Sequence, residues 1–473
     1  MIQLLNKTSR HIKFQFEVLQ KMFKSNIDRV RTNIYIYLGI IIVCCLFAPL
    51  GLAEQRPMIK KQNDHEIWVT IFVHGISSTR PHLNISNIWR FIKNEISDTH
   101  YKETVNTIRR KKFCHNGQAM QEIGLKKIDC TQPLNTNSAC AIARLLNSID
   151  VYRQNEYYTF GWSALIGVKE RKQAAQDLYN SLITLKNNYD QQNKKIKIRI
   201  IGYSHGGNVI LALGSLKKNK KKPLIIDEAI TFGTPIHQEE HKWIHSALFK
   251  KIYHIYSRSD HVQRLDIFTH PGHLGHKHFR NYGSLKLPQK LMQIEIRSTR
   301  PTQGTKKNKT AFYHKPSIIM GKGKTLRNMS PGHIELWFFG WAADFYRQDL
   351  PLYPLPYIIF MPFFLHHATQ LIHKNPEQPV IFDIRPYDEH MIIRQNSSYK
   401  SAQIVPFIPL SKLEQMRVLA YKAKPLDYDL KKHNKKIKKI SHTVHLERKR
   451  RSKGQKRIDE ITVNGVTFYN VYL

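Results

Sequence analysis

Acidic side chains are scarce: 35 Asp and Glu stand against 75 Lys and Arg in 473 residues, a formal net charge of +40 with His neutral. Cysteine is scarcer still, at five residues, which excludes a disulfide scaffold. Glycine (22) and proline (21) are too few for a collagen-like or low-complexity chain, and a 41% hydrophobic content excludes wholesale disorder. What remains is enough apolar residue for one large folded domain with extra segments. The cationic field favours anionic partners such as nucleic acid, acidic lipid or lipopolysaccharide, and it bears on association, not on fold. The abundance of Lys, Ile, Asn and Tyr also fits a compositional drift with no specific partner.

Residues 1–33 form a basic segment with Lys7, Arg10, Lys13, Lys21, Lys24, Arg29 and Arg31 against Glu17 and Asp28. Residues 34–53 then carry no charge, a run long enough to span hydrocarbon as a helix with its basic flank in the cytoplasm. The run closes on Gly51-Leu52-Ala53, small residues suited to a signal peptidase. Both readings, cleaved signal peptide and retained anchor, make the chain exported or membrane-anchored. Cys44 and Cys45 fall inside this run, leaving Cys114, Cys130 and Cys140, which allow one disulfide and a leftover thiol or three reduced thiols.

Beyond it, β-branched apolar runs recur at 67–73, 157–160, 196–201, 224–232, 252–256 and 292–296. Ala175, Leu178, Leu182, Leu185 and Tyr189 place one apolar stripe along a helix between them. This alternation predicts an α/β fold, a mainly parallel sheet with helices on both faces. Residues 75–155 interrupt the rhythm and read as a polar insertion or cap. After about 348 the rhythm is lost, so 349–473 reads as an irregular basic extension. It holds a Pro-aromatic stretch at 351–365 and a solvated tail at 431–457, where thirteen Lys/Arg face Glu447 alone. A terminal hairpin turns at Asn464-Gly465.

The strand at 196–201 runs directly into Gly202-Tyr203-Ser204-His205-Gly206-Gly207 and then an apolar helix. A strand-to-helix turn tight enough to lift a serine hydroxyl out of a sheet strains that serine. It leaves no room for side chains two positions either side, hence G-x-S-x-G. The motif, together with the strand 67–73 running into His74-Gly75-Ile76, resembles the α/β-hydrolase superfamily, lipases and esterases in particular, over about residues 65–348. The bland alternative is a glycine-rich turn that only packs closely.

The resemblance implies an α/β-hydrolase fold with Ser204 as nucleophile, an acid past the second following strand, and a histidine after the last. Those positions fall on Asp260, with Asp266 as substitute, and on His333. It also implies backbone N–H donors to an oxyanion from Ile76 and His205. His74, Trp162 and Tyr203 are read as lining the substrate site, with a loop-orienting ring for His74 and a merely buried aromatic for Trp162 as alternatives. His270, His273, His276 and His278 crowd nine residues without an interleaved carboxylate or cysteine, so a solvated loop is expected there, not a metal site. Lys322 and Lys324 in GKGK lack the phosphate-loop context.

The expectation is an enzyme: a serine hydrolase cleaving carboxylic esters, with an ester or lipid small molecule as substrate. Such chemistry calls for no cofactor and no metal. An anionic membrane surface is a candidate partner, argued from the Pro-aromatic stretch and the basic tail; nucleic acid is not expected. The alternative is a catalytically inactive hydrolase-fold protein that grips anionic envelope polymers or nucleic acid with its cationic surface.

Overall fold

The computed structural model describes residues 66–76, 99–150, 153–216, 224–262, 275–302, 325–371, 375–395, 402–452, 457–463 and 466–472. In chain order these give β1 (Glu66–Val73), α1 (His100–Arg109), β2 (Gly124–Lys127), α2 (Ser138–Asn147), β3 (Gln154–Gly161) and α3 (Val168–Gln191). Then come β4 (Lys195–Tyr203), α4 (His205–Ala212), β5 (Ile226–Phe232), α5 (Gln238–Trp243), β6 (Phe249–Tyr256), β7 (Leu291–Thr302) and β8 (Thr325–Met329). The remainder is α6 (Met361–Gln370), β9 (Val380–Arg385), β10 (His390–Arg394), β11 (Gln403–Pro406), α7 (Leu410–Lys422), α8 (Leu430–Ser452), β12 (Arg457–Val463) and β13 (Val466–Tyr472).

β1 reads Glu-Ile-Trp-Val-Thr-Ile-Phe-Val with all but its first residue buried, the near-continuous apolar run of a strand covered on both faces. It is an interior strand, third from one edge, of a mostly parallel sheet ordered β2-β3-β1-β4-β5-β6-β7-β9-β10-β11, with β8 paired on β7. The seven strands from β3 to β9 are mutually parallel; β2 is antiparallel to β3 at one flank, β10 to β9 and β11 to β10 at the other, and β8 is antiparallel to the far end of β7.

Alternate residues of each strand feed two separate cores. Val69, Ile71, Ile198 and Ile200 pack with the α3 stripe and with α4 on one face. Phe72, Ile201, Ile230 and Ile255 pack with α2, α6 and α7 on the other. The architecture is therefore α/β with helices on both faces, as read from the alternation.

Three expectations are corrected. Residues 138–147, placed inside a polar insertion, form α2, whose Ala-Cys-Ala-Ile-Ala and Leu145-Leu146 are fully buried. The segment after 348 is no irregular extension: β9, β10 and β11 continue the same sheet, and the Pro-aromatic stretch is buried core from Leu352 to Leu365. The basic block at 431–457, read as a solvated tail, is largely the helix α8. β12 and β13 pair antiparallel with Val463 opposite Val466, while Asn464 and Gly465 lie outside the described residues.

The 34–53 run, Asp266, His270, His273, Lys322 and Lys324 also lie outside them. No helix among the described residues is long and apolar enough to cross a membrane. Cys114, Cys130 and Cys140 are free thiols, with burial pushing Cys114 up to about 12 and Cys130 to about 11.

Candidate active site

Ser204 follows β4 and stands at the N-terminal boundary of α4 with φ +52° and ψ −128°, a region nearly reserved for glycine and costing about 1–3 kcal/mol in any other residue. The turn is held by Ser204 N–H donating to Phe232 O at 2.9 Å and Gly207 N–H donating to Ser204 O at 2.9 Å. Side chains are excluded at the flanking positions: a Cβ on Gly202 would lie 2.7 Å from Gly207 Cα, and one on Gly206 would lie 2.3 Å from Val73 O. The close approach of Gly206 to the end of β1 brings the His74-Gly75 segment beside the serine. A Cβ on Gly75 would lie 3.1 Å from Ser204 Cβ.

β6 is two strands from β4, and the turn after it carries Asp260, fully buried. His333 Nδ1 donates to Asp260 Oδ2 at 2.7 Å, and Val262 N–H donates to Asp260 Oδ1 at 3.1 Å. With Nδ1–H committed to the carboxylate, the lone pair is left on Nε2. The loops bearing the pair are tied together by Ser257, whose hydroxyl donates to Pro331 O at 2.5 Å. His333 precedes a single 3₁₀ turn at Ile334–Leu336, and it does not follow the last strand, since three more sheet strands come after it.

Two contacts bring the pair to the serine. Tyr203, next to Ser204, lays its ring 4.7 Å from the His333 ring centre, and its hydroxyl donates to His333 O at 3.1 Å. Gly233, next to the carbonyl that holds Ser204 N–H, sits at φ +57° with room for no Cβ, which would meet Asp260 Oδ2 at 2.8 Å and His333 Nδ1 at 3.2 Å. The Ser204 hydroxyl and the His333 ring are not hydrogen-bonded to each other; such contacts are often long in ligand-free sites and tighten with substrate.

His74 is buried, and desolvation, reinforced by the Arg109 cation, holds its pKa well below the usual imidazole range. The neutral ring accepts at Nε2 from Trp162 N–H (3.3 Å), so Nδ1–H donates to Gly75 O (2.7 Å). The C=O and N–H of a trans peptide point opposite ways, so fixing Gly75 C=O also fixes the direction of Ile76 N–H. Trp162 braces this arrangement through Nε1–H to His74 O at 2.7 Å, and Arg109 Nε–H donates to Trp162 O at 3.0 Å.

On the far side of the serine, Arg171 from the first turn of α3 donates to His205 Nδ1 at 2.6 Å, both side chains being buried. No carboxylate pairs with Arg171 among the described residues. A buried cation without a counter-charge is expensive, and here it stands one residue from Ser204, where a developing negative charge would be stabilised.

The structure thus brings Ser204, Tyr203, Asp260, His333, His74 and Gly75 together at the carboxyl ends of parallel strands, the usual place for a site in such sheets. His74, Trp162 and Tyr203 were read as lining a substrate site. All three are buried and hydrogen-bonded internally, so their observed contacts are those of a frame around the serine. Sequence reading missed Arg171, Gly233 and Ser257, which carry no local signal. The only hint at Gly233 was the Phe-Gly-Thr-Pro end of β5. Among the described residues no group of His, Cys, Asp and Glu could hold a metal ion. No family model matches the chain, and no curated protein matches it.

Proposed function

We propose that the chain is a serine hydrolase of carboxylic esters, with an α/β-hydrolase type of fold. The observation that carries the reading is the strained Ser204 turn standing beside a fully buried Asp260 that holds a half-buried His333 at 2.7 Å.

In this reading Ser204 Oγ attacks the ester carbonyl while His333 Nε2 takes its proton. Asp260 holds the ring tautomer and stabilises the imidazolium that forms. The N–H groups of Ile76 and His205 receive the oxyanion, with α4 directing its positive end at the same place. His333 returns the proton to the leaving alcohol, then activates a water that hydrolyses the acyl-enzyme. The substrate is an ester or lipid small molecule, and no step calls for a metal or cofactor. The apolar 34–53 run supports action outside the cytoplasm or at a membrane.

A fluorophosphonate probe tests the reading. The wild type is expected to label covalently and Ser204→Ala not at all, with hydrolysis of p-nitrophenyl esters following the same pattern. An unlabelled wild type, or equal labelling of both proteins, would leave the alternative: a hydrolase-like fold kept for binding alone.

A further inference from the structure

α8 is a 23-residue helix, about 35 Å long at 1.5 Å per residue, and its two sides differ sharply. The inner side docks on α1. Val444 is buried and Ile437 and Ile440 are half-buried, a 3-4 stripe that density of charge conceals in the sequence. His100 Nε2 donates to Ser441 O at 2.8 Å, and Glu103 accepts from Arg448 at 2.6 Å and Arg451 at 2.5 Å. At the N-terminal end Asn434 donates to Asp344, and Asp429 Oδ1 accepts from Lys432 N–H at 2.8 Å. The outer side is cationic. Lys431, Lys432, Lys435, Lys436, Lys438 and Lys439 are all exposed, with Asp427 and Asp429 the acids just before the helix.

Two large apolar side chains stand in the open at this same end. Phe345, next to the Asp344 that Asn434 grips, is 71% exposed, and Leu426, four residues ahead of α8, is 89% exposed. We propose that this face, six lysines with Phe345 and Leu426 beside them, docks on an anionic bilayer surface. Lysines alone would suit any polyanion. Apolar side chains held out beside them gain nothing from a phosphate backbone in water, but they can enter the boundary between headgroups and acyl chains. The pairing of charge with insertable side chains therefore favours lipid over nucleic acid. It replaces the Pro-aromatic stretch as the basis for a membrane partner, since that stretch is buried. α8 docks on α1, whose last residue, Arg109, reaches the site frame through Trp162 and His74. The face shares no residue with Ser204, Asp260 or His333, so docking there stands or fails separately from the esterase reading.

The test uses the full chain carrying Phe345→Trp and vesicles containing brominated acyl chains, so that quenching reports contact at this position and not at residues 34–53. Phosphatidylglycerol-containing vesicles are expected to quench the new indole beyond the wild-type background, and pure phosphatidylcholine vesicles are not. Adding Lys431→Glu, Lys432→Glu and Lys435→Glu is expected to weaken this response about tenfold, with an unchanged near-ultraviolet circular dichroism spectrum showing that the variant is folded. Leu426→Ser, read by the same quenching, should weaken it as well, without altering retention on heparin. The proposal is overturned by absence of extra quenching, by equal quenching on neutral vesicles, by indifference to the charge reversals, or by duplex DNA displacing the protein from vesicles at equal phosphate concentration.

Discussion

Ser204 carries backbone strain that no core residue needs, and Asp260 carries buried polarity that packing alone would avoid and directs it at His333; together they make the residue-scale case. Asp260→Asn keeps the shape but offers His333 Nδ1 a mismatched partner, so kcat for ester hydrolysis should fall about 10³–10⁴-fold with KM little changed. A fall of less than tenfold would move the acid elsewhere. Arg171→Met removes the buried cation behind His205 while filling its volume. The fluorophosphonate labelling rate should drop on the order of tenfold, short of the 10²–10³ for losing a direct oxyanion donor. An unchanged rate would make Arg171 a packing residue. Ser204, Asp260 and His333 were legible because each sits in a local context: a strand-turn-helix, a loop after a strand, a glycine before an apolar run. Arg171, Ser257 and Gly233 were not, because what they do is defined by partners 34, 74 and up to 100 positions away.

At the scale of elements, the parallel strands announced themselves because burial on both faces demands long β-branched runs, as in β1 and β4. β9, β10 and β11 did not. They are short, two of them run antiparallel, and they follow an aromatic stretch whose burial depends on α2 and α7 closing over it. α8 was missed because helix formation there rests on docking against α1, and its few apolar residues are outnumbered by lysine. The register of β4 on β5 also sets a polar contact inside the sheet. Arg199 faces Glu228 across the ladder, both buried, with Nε–H donating to Oε2 at 2.6 Å and the guanidinium 4.6 Å from the Trp68 ring. Glu228→Ala removes the closer of the two carboxylates at that cation, leaving Asp150 at 3.8 Å, and should destabilise the protein by up to about 3–5 kcal/mol in urea unfolding. Pairing Glu228→Ala with Arg199→Met should recover most of it. A single-variant loss under about 1 kcal/mol would show that Asp150 or water compensates the guanidinium.

The whole molecule combines a net charge of +40 with buried neutral histidines, and the two predict different responses to acid. Burial holds His241 and His254 at about 4, and His74 well below its usual value, so these rings stay neutral in the fold while an unfolded chain protonates them near 6.5. The folded values are depressed, so between about pH 6.5 and 4 the unfolded state binds more protons. Stability is full above pH 6.5 and is lost as pH falls. Three such rings approach a slope of about 4 kcal/mol per pH unit. Repulsion among lysines and arginines also weakens the fold, but it acts across the surface and is screened by salt, whereas the rings are not. Urea unfolding followed from pH 7.5 to 4.5 at high ionic strength therefore isolates the buried rings, and the slope should persist there. His254→Gln can keep bonds to both Thr231 Oγ1 and Lys277 O without titrating, and should flatten the slope by about one proton. Stability that is level across this range in high salt would mean that these imidazoles gain protons in place, and that the acid sensitivity of the molecule is a property of its surface charge.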